Sequence, residues 1–215
     1  MDASNSPANR PVQLPAGLPA RPTRQTHRDQ ERRYFSHRDT HPNYNGRYVS
    51  ELRELLERFR RGAELLAVVT TGAAGPELDF SPAEGKWGVR MIVCHLADCE
   101  AINVMRFRQM IAEDNPTLMG FDQDKWAANL DYKKRKISQP IETFRRLRGE
   151  NYELLKDQPE EIFTRTGTHS KRGPMTILDM LRLHTEHVEK HVQQIQATRA
   201  AYKEHRAKLA ATPAT

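Results

Sequence analysis

The stretch ILDMLRLHTEHVEKHVQQI at residues 177–195 limits the fold more than any other part of the chain. At about 100° per residue on a helix, Ile177, Met180, Leu181, His184, His187, Val188, His191 and Ile195 all fall within about 60° of one line. Glu186, Glu189 and Lys190 take the opposite side. Three of the nine histidines therefore share the stripe that a helix must bury. A neutral imidazole needs a partner for each ring nitrogen, and hydrocarbon walls supply none. The chain has to pack this helix into an interior that also answers the rings.

Three further stretches repeat their apolar residues at three and four. Between Arg47 and Val69 the stripe is Leu52, Leu55, Leu56, Phe59, Ala63 and Leu66, and Gly72, Gly75 and Pro76 end it. Residues 87–113 carry Val89, Ile92, Leu96, Cys99, Asn103, Arg106 and Met110 on one face. Pro140 suits the first turn of another helix, with Ile141, Phe144, Leu147, Asn151 and Leu154 inward and Pro159 beyond its end. Thr176 and Asp179 form a T-x-x-D capping signature at the start of the last helix. Four long helices with no convincing alternating strand predict an all-α fold, a four-helix bundle.

Composition sets the limits around that bundle. The 215 residues suit one substantial core with appendages. Residues 1–45 contain six prolines and few bulky apolar side chains, and residues 1–50 hold eight arginines, no lysine and four acidic residues. Such an arm is expected to be disordered, and it supplies +4 of the formal net charge of +6. The expected domains are the arm at 1–45, the bundle at 46–205 and a flexible tail at 206–215. Nucleic acid is a poor candidate partner, because no aromatic residues interleave with the arm's charge. Cys94 and Cys99 are too badly placed on one helix for a disulfide, which points to a reducing compartment. With neither a signal peptide nor a span long enough for a membrane, the expected location is cytoplasmic.

His95, one turn from Ile92 and Cys99, should also face inward. His187 and His191 stand at i and i+4, the spacing by which one helix offers two imidazoles to a single ion. Together with His95 they would give three ligands and leave positions open, as in catalytic rather than closed structural sites. Val188 stands where H-E-x-x-H has its glutamate, so that proteolytic route is not expected. The base role is left to a coordinated water, to Asp98 or to His184. Each of these residues also has a plainer reading: an interhelical salt bridge for Asp98, a core contact for His184 and a small buried thiol for Cys99.

GKWGVRMIVCHLAD at 85–98, GFDQDKW at 120–126 and HVEKHVQQI at 187–195 together resemble the DinB-like superfamily, the metal-binding four-helix bundles that include the YfiT-like proteins. The resemblance covers about residues 80–200 and leaves out the arm and the tail. It implies a histidine triad for zinc, nickel or a similar ion, here His95, His187 and His191. It also implies thiol-dependent transfer, with a low-molecular-weight thiol as partner, or metal-dependent hydrolysis of a small-molecule substrate. A homodimer is left open. The contrasting expectation is a non-catalytic bundle with a structural ion or none, docked on nucleic acid or an acidic partner through its basic arm; such docking would weaken steeply with salt.

Overall fold

In the computed structural model the described residues are 42–211, with side chains described from residue 48. The arm expected at 1–45 lies almost wholly outside them. From Gly46 onward the chain forms one compact unit. Its long helices are α1 (Pro42–Thr70), α2 (Val89–Ala112), α4 (Ser138–Leu155) and α5 (Ile177–Ala211), with a short α3 (Gln123–Asn129) in the second connection. The closest packing is of α2 along α4 and α5. Helix α5 continues through the first six residues of the tail that was expected to be flexible from 206.

One expectation is corrected. The connections do contain strands: β1 (Thr117–Leu118), β2 (Thr166–His169) and β3 (Gly173–Thr176) form a three-stranded sheet. Strand β1 runs parallel to β2, pairing Leu118 with His169, and β2 pairs antiparallel with β3. Two to four residues are too few to register an alternating pattern, and Thr, Gly and Pro carry little hydrophobic signal. The sheet ties the connection after α2 to the hairpin before α5.

The apolar core is divided. At one end Leu52, Leu55, Phe59, Phe107, Met110, Leu155, Ile177 and Leu181 pack together. At the other end Leu66, Val89, Ile92, Leu96, Phe144, Val188 and Ile195 do the same. On α2, α4 and α5 the residues between these clusters are the buried polar ones: Glu100, Asn103, Arg106, Arg148, Asn151 and His184. Arg148 donates from Nη2 to Glu100 Oε2 at 2.7 Å, Asn151 Nδ2 donates to Oε1 at 2.7 Å, and the guanidinium lies 3.9 Å over the Phe59 ring. Gly62 on α1 makes room here, since a Cβ would stand 3.5 Å from Arg148 Nη1 and 3.4 Å from Val188 Cγ1. The inner face of α4 is therefore Phe144, Arg148, Asn151 and Leu155, with Leu147 and Leu154 at its half-buried edge.

Candidate metal centre

Two helix starts set the site. At the head of α5 the expected capping box forms: Asp179 N–H donates to Thr176 Oγ1 at 3.0 Å, and Thr176 N–H donates back to Asp179 Oδ2 at 3.0 Å. That start fixes the rotation of α5 and turns His184, His187 and His191 inward. Helix α2 begins at Gly88, whose missing side chain admits the carbonyl oxygens of Leu78 and Phe80, each 3.0 Å from where a Cβ would stand. The tight turn leaves Trp87 with its ring centroid 5.2 Å from that of His95.

The three rings meet across 92 residues of sequence. His95 Nε2 lies 3.3 Å from His187 Nε2, which lies 3.0 Å from His191 Nε2. Nitrogens held about 2.0–2.1 Å from one tetrahedral ion are about 3.3 Å apart, so the His95–His187 and His187–His191 spacings each suit two ligands of one divalent cation. Hydrogen bonding alone does not account for it. His187 Nε2 has a single in-plane site and faces two other ring nitrogens, so it can make a well-directed hydrogen bond to only one of them.

Protonation states point the same way. Burial, with the His191 charge second, holds His95 down to about 4. Burial first, then His191 and His95, pushes His187 down to about 3. His191 is lowered by burial and raised in part by Gln194. Its Nδ1 lies 2.9 Å from Gln194 Oε1, which can only accept, so the proton sits on Nδ1 and the Nε2 lone pair faces the other rings. At neutral pH the cluster is a set of free imidazole lone pairs.

Cys99 also offers a donor atom, within 4.8 Å of those of His95 and His187. Its sulfur is 3.5 Å from His95 Nε2 and 3.7 Å from Nδ1. A sulfur nearly equidistant from both ring nitrogens sits beside the ring, off the line of the Nε2 lone pair. Burial also pushes its thiol up to about 12. The three imidazoles are the better-matched donors, and Cys99 packs against them as a buried thiol.

Asp98 is turned to the connecting loop. Its Oδ2 accepts the Tyr132 hydroxyl at 2.5 Å and its Oδ1 lies 3.3 Å from Arg135 Nη1. The Asp98 hydroxyl partner is held protonated: burial, then the hydrogen bond to that carboxylate, raises the Tyr132 pKa. Arg135 thus leaves the KKRK run for an ion pair, while Lys134 pairs with Asp131 at 2.6 Å. His184 is buried with its Nε2 3.1 Å from Met180 Sδ and its ring centroid 6.3 Å from that of His187. A thioether only accepts, which places the proton on Nε2 and leaves Nδ1 a lone pair. Burial, ahead of the His187 charge, keeps the ring neutral. Trp87 and Phe121 wall the His95 side, and Trp126 packs behind Phe121 at 4.6 Å.

The Glu100–Arg148–Asn151 group and the buried His169 were not read from the sequence as site neighbours. A usable signal was present: Asn103, Arg106 and Asn151 stand at core positions of two helices, where polar side chains require partners.

Comparison with known proteins gives the family and the fold. A family model described as the DinB superfamily matches residues 58–195. "Putative metal-dependent hydrolase OB0413" of Oceanobacillus iheyensis is 25% identical over 156 residues, covering 69% of this chain and 85% of that protein. "Putative metal-dependent hydrolase YfiT" of Bacillus subtilis is 24% identical over 150 residues, covering 69% and 80% respectively. The solved structure of Bacillus subtilis YfiT, described as having an unusual four-helix bundle topology, superposes with a TM-score of 0.66 at 22% identity over 70% of this chain and 86% of that one. No helix among the described residues is long and apolar enough to cross a membrane.

Proposed function

The chain belongs to the DinB superfamily, and on that premise we propose that it is a metal-dependent hydrolase of small molecules in which His95, His187 and His191 are the three protein ligands of a divalent ion. The observation that carries this reading is that His187 Nε2 lies 3.3 Å from His95 Nε2 and 3.0 Å from His191 Nε2, across two helices and with the rings neutral. Relatives named as metal-dependent hydrolases support the reaction class. Zinc or nickel suits three imidazoles, and an ion held there supplies Lewis acidity to an oxygen or sulfur brought beside it.

The remaining work falls to the chain's own side chains. Trp87 and Phe121 exclude water from the His95 side. His184 keeps a lone pair on Nδ1 one turn from His187 and, held neutral by burial, is placed to accept a hydrogen bond inside the buried layer. Asp98 acts through Tyr132 and Arg135, holding the loop that carries the aromatic wall. The two free, buried cysteines suit a reducing compartment, in keeping with work in the cytoplasm.

Elemental analysis of the purified chain beside His95→Ala, His187→Ala and His191→Ala tests the ligand set. One ion per chain in the wild type and a large loss in each variant is the expected result. Unchanged metal content in His187→Ala would end the reading. Ester and amide hydrolysis, run with and without a chelator beside a thiol-plus-electrophile assay, separates hydrolysis from thiol transfer, which would use the same ligands.

A further inference from the structure

Next to the imidazole cluster is a group of buried donors without an acceptor. Arg106 is 5% exposed, its Nη2 donates to Met119 O at 2.5 Å, and its Nε has no partner. Among the described residues it has no carboxylate in ion-pairing range. One turn earlier on the same helix, Asn103 is fully buried, and neither its amide nitrogen nor its amide oxygen is hydrogen-bonded.

His169 makes the mismatch sharper. Its Nδ1 accepts the Lys171 backbone N–H at 3.1 Å, so a neutral ring carries its proton on Nε2. That Nε2 lies 3.2 Å from Arg106 Nη2, which also bears only hydrogens. Burial first, then the Arg106, Arg172 and Lys171 charges, keeps this imidazole from gaining a second proton. Two donors therefore face each other, with an orphaned Nε on the same arginine and an orphaned amide one turn earlier on the helix. An anionic oxygen pair would satisfy the N–H groups of Arg106, His169 and Asn103, leaving the Asn103 amide oxygen for a donor group on the same molecule.

The group is close to the candidate metal centre. Met119, which takes the Arg106 hydrogen bond, is two residues from Phe121, whose ring centroid is 6.3 Å from that of His95. The Arg106 charge also acts on His184, whose ring centroid is 6.3 Å from that of His187. Arg172, at the turn between β2 and β3, adds a charge felt by both His184 and His187. Among the described residues its guanidinium makes no hydrogen bond or ion pair.

We propose that Arg106, Asn103 and His169 bind a carboxylate, so that the small molecule handled at the three-imidazole centre is an acid whose carboxylate is anchored on the His184 side of that centre. The Nε–Nη2 edge of a guanidinium matches the two oxygens of a carboxylate. The amide and imidazole N–H groups add neutral donors beside it. This extends the hydrolase reading by naming the substrate class, but the donor group itself does not depend on a metal.

Calorimetric titration of the full chain, as purified and after chelation, with acetate, succinate, glutarate and the neutral control succinamide tests the proposal. Saturable binding of at least one of the three acids is expected, with none of succinamide. Arg106→Gln should weaken it by at least about tenfold. Arg106→Lys keeps the charge without the fork and should fall between the two. Asn103→Leu removes an orphaned amide, so it should melt no lower than the wild type while binding the acid more weakly, which separates lost binding from lost folding. Absence of binding by the wild type, equal binding by Arg106→Gln, or equal binding of succinamide would overturn the proposal. Metal content measured on the same samples tells the two readings apart: a loaded chain that ignores carboxylates sinks only this inference, and a metal-free chain that binds them sinks only the hydrolase.

Discussion

Replacing Glu100 with glutamine keeps the shape of the buried polar layer and removes the one carboxylate among its buried residues. In the wild type that carboxylate faces Arg148, and both side chains are 1% exposed. Opposite charges about 4 Å apart attract by about 4 kcal/mol at an effective dielectric near 20. A glutamine oxygen would keep one hydrogen bond from Arg148, worth about 1 kcal/mol. Its new N–H₂ would meet Asn151, which can turn its amide and offer the Oδ1 that now lacks a partner. The net loss is therefore about 3 kcal/mol, at the lower edge of what breaking a buried pair costs.

For a unit of this size each kcal/mol moves the melting temperature by about 2–4 °C, so Glu100→Gln should melt about 6–12 °C lower. Guanidinium titration should show a lower midpoint with an unchanged slope. Adding Arg148→Met, which takes away the orphaned cation, should restore most of the loss. A drop under about 1 kcal/mol, or a double variant that adds the full cost of each single change, would refute the picture of two coupled charges.

Tyr132→Phe removes the hydroxyl that donates to Asp98 at 2.5 Å; a loss of about 2 kcal/mol is expected with unchanged metal content, read by thermal melting and elemental analysis. Gly88→Ala sets a methyl group 3.0 Å from two backbone carbonyl oxygens at the head of the helix that carries His95. It should cost about 1–3 kcal/mol and weaken metal binding, and a variant as stable as the wild type would mean that the 78–80 segment gives way freely.

Three of the four long helices were legible because their apolar residues keep phase. Expected spans of 47–69 and 87–113 compare with Pro42–Thr70 and Val89–Ala112, and the last helix starts directly after its capping threonine. On helix α4 the periodicity places Phe144 and Asn151 inward correctly, whereas it sets Leu147 and Leu154 where Arg148 and Leu155 are buried. Arg148 looks like a surface residue until its partner is known, and that partner, Glu100, lies 48 residues earlier in another helix. Hydropathy sees single residues, whereas a buried ion pair belongs to two. The imidazoles escaped this difficulty because a polar ring repeated on an apolar stripe is anomalous within its own helix. His169 carried no such mark, since the four-residue strand that buries it has no period to violate.

Burial shapes how the imidazole cluster answers acid, and the consequence can be measured. An exposed imidazole takes up a proton near pH 6.5, so sites built from exposed histidines lose metal affinity as soon as pH falls below that value. His95 and His187 are held down to about 4 and about 3. In the folded, metal-free chain their lone pairs remain free well below pH 6, and the intrinsic zinc affinity should change by less than about threefold between pH 7 and 5.5. The unfolded chain does take up those protons. Stability of the metal-free protein is thus complete above about pH 6.5, declines as pH falls, and has lost roughly 3 kcal/mol through His95 alone by about pH 4. The contribution of His187 is not fully additive, because the two rings depress one another. Chelator competition at stepped pH, paired with acid melts of the metal-free protein, follows both quantities at once. A tenfold loss of zinc affinity already between pH 7 and 6, with the chain still folded, would mean that the rings titrate as exposed groups and are not desolvated as described.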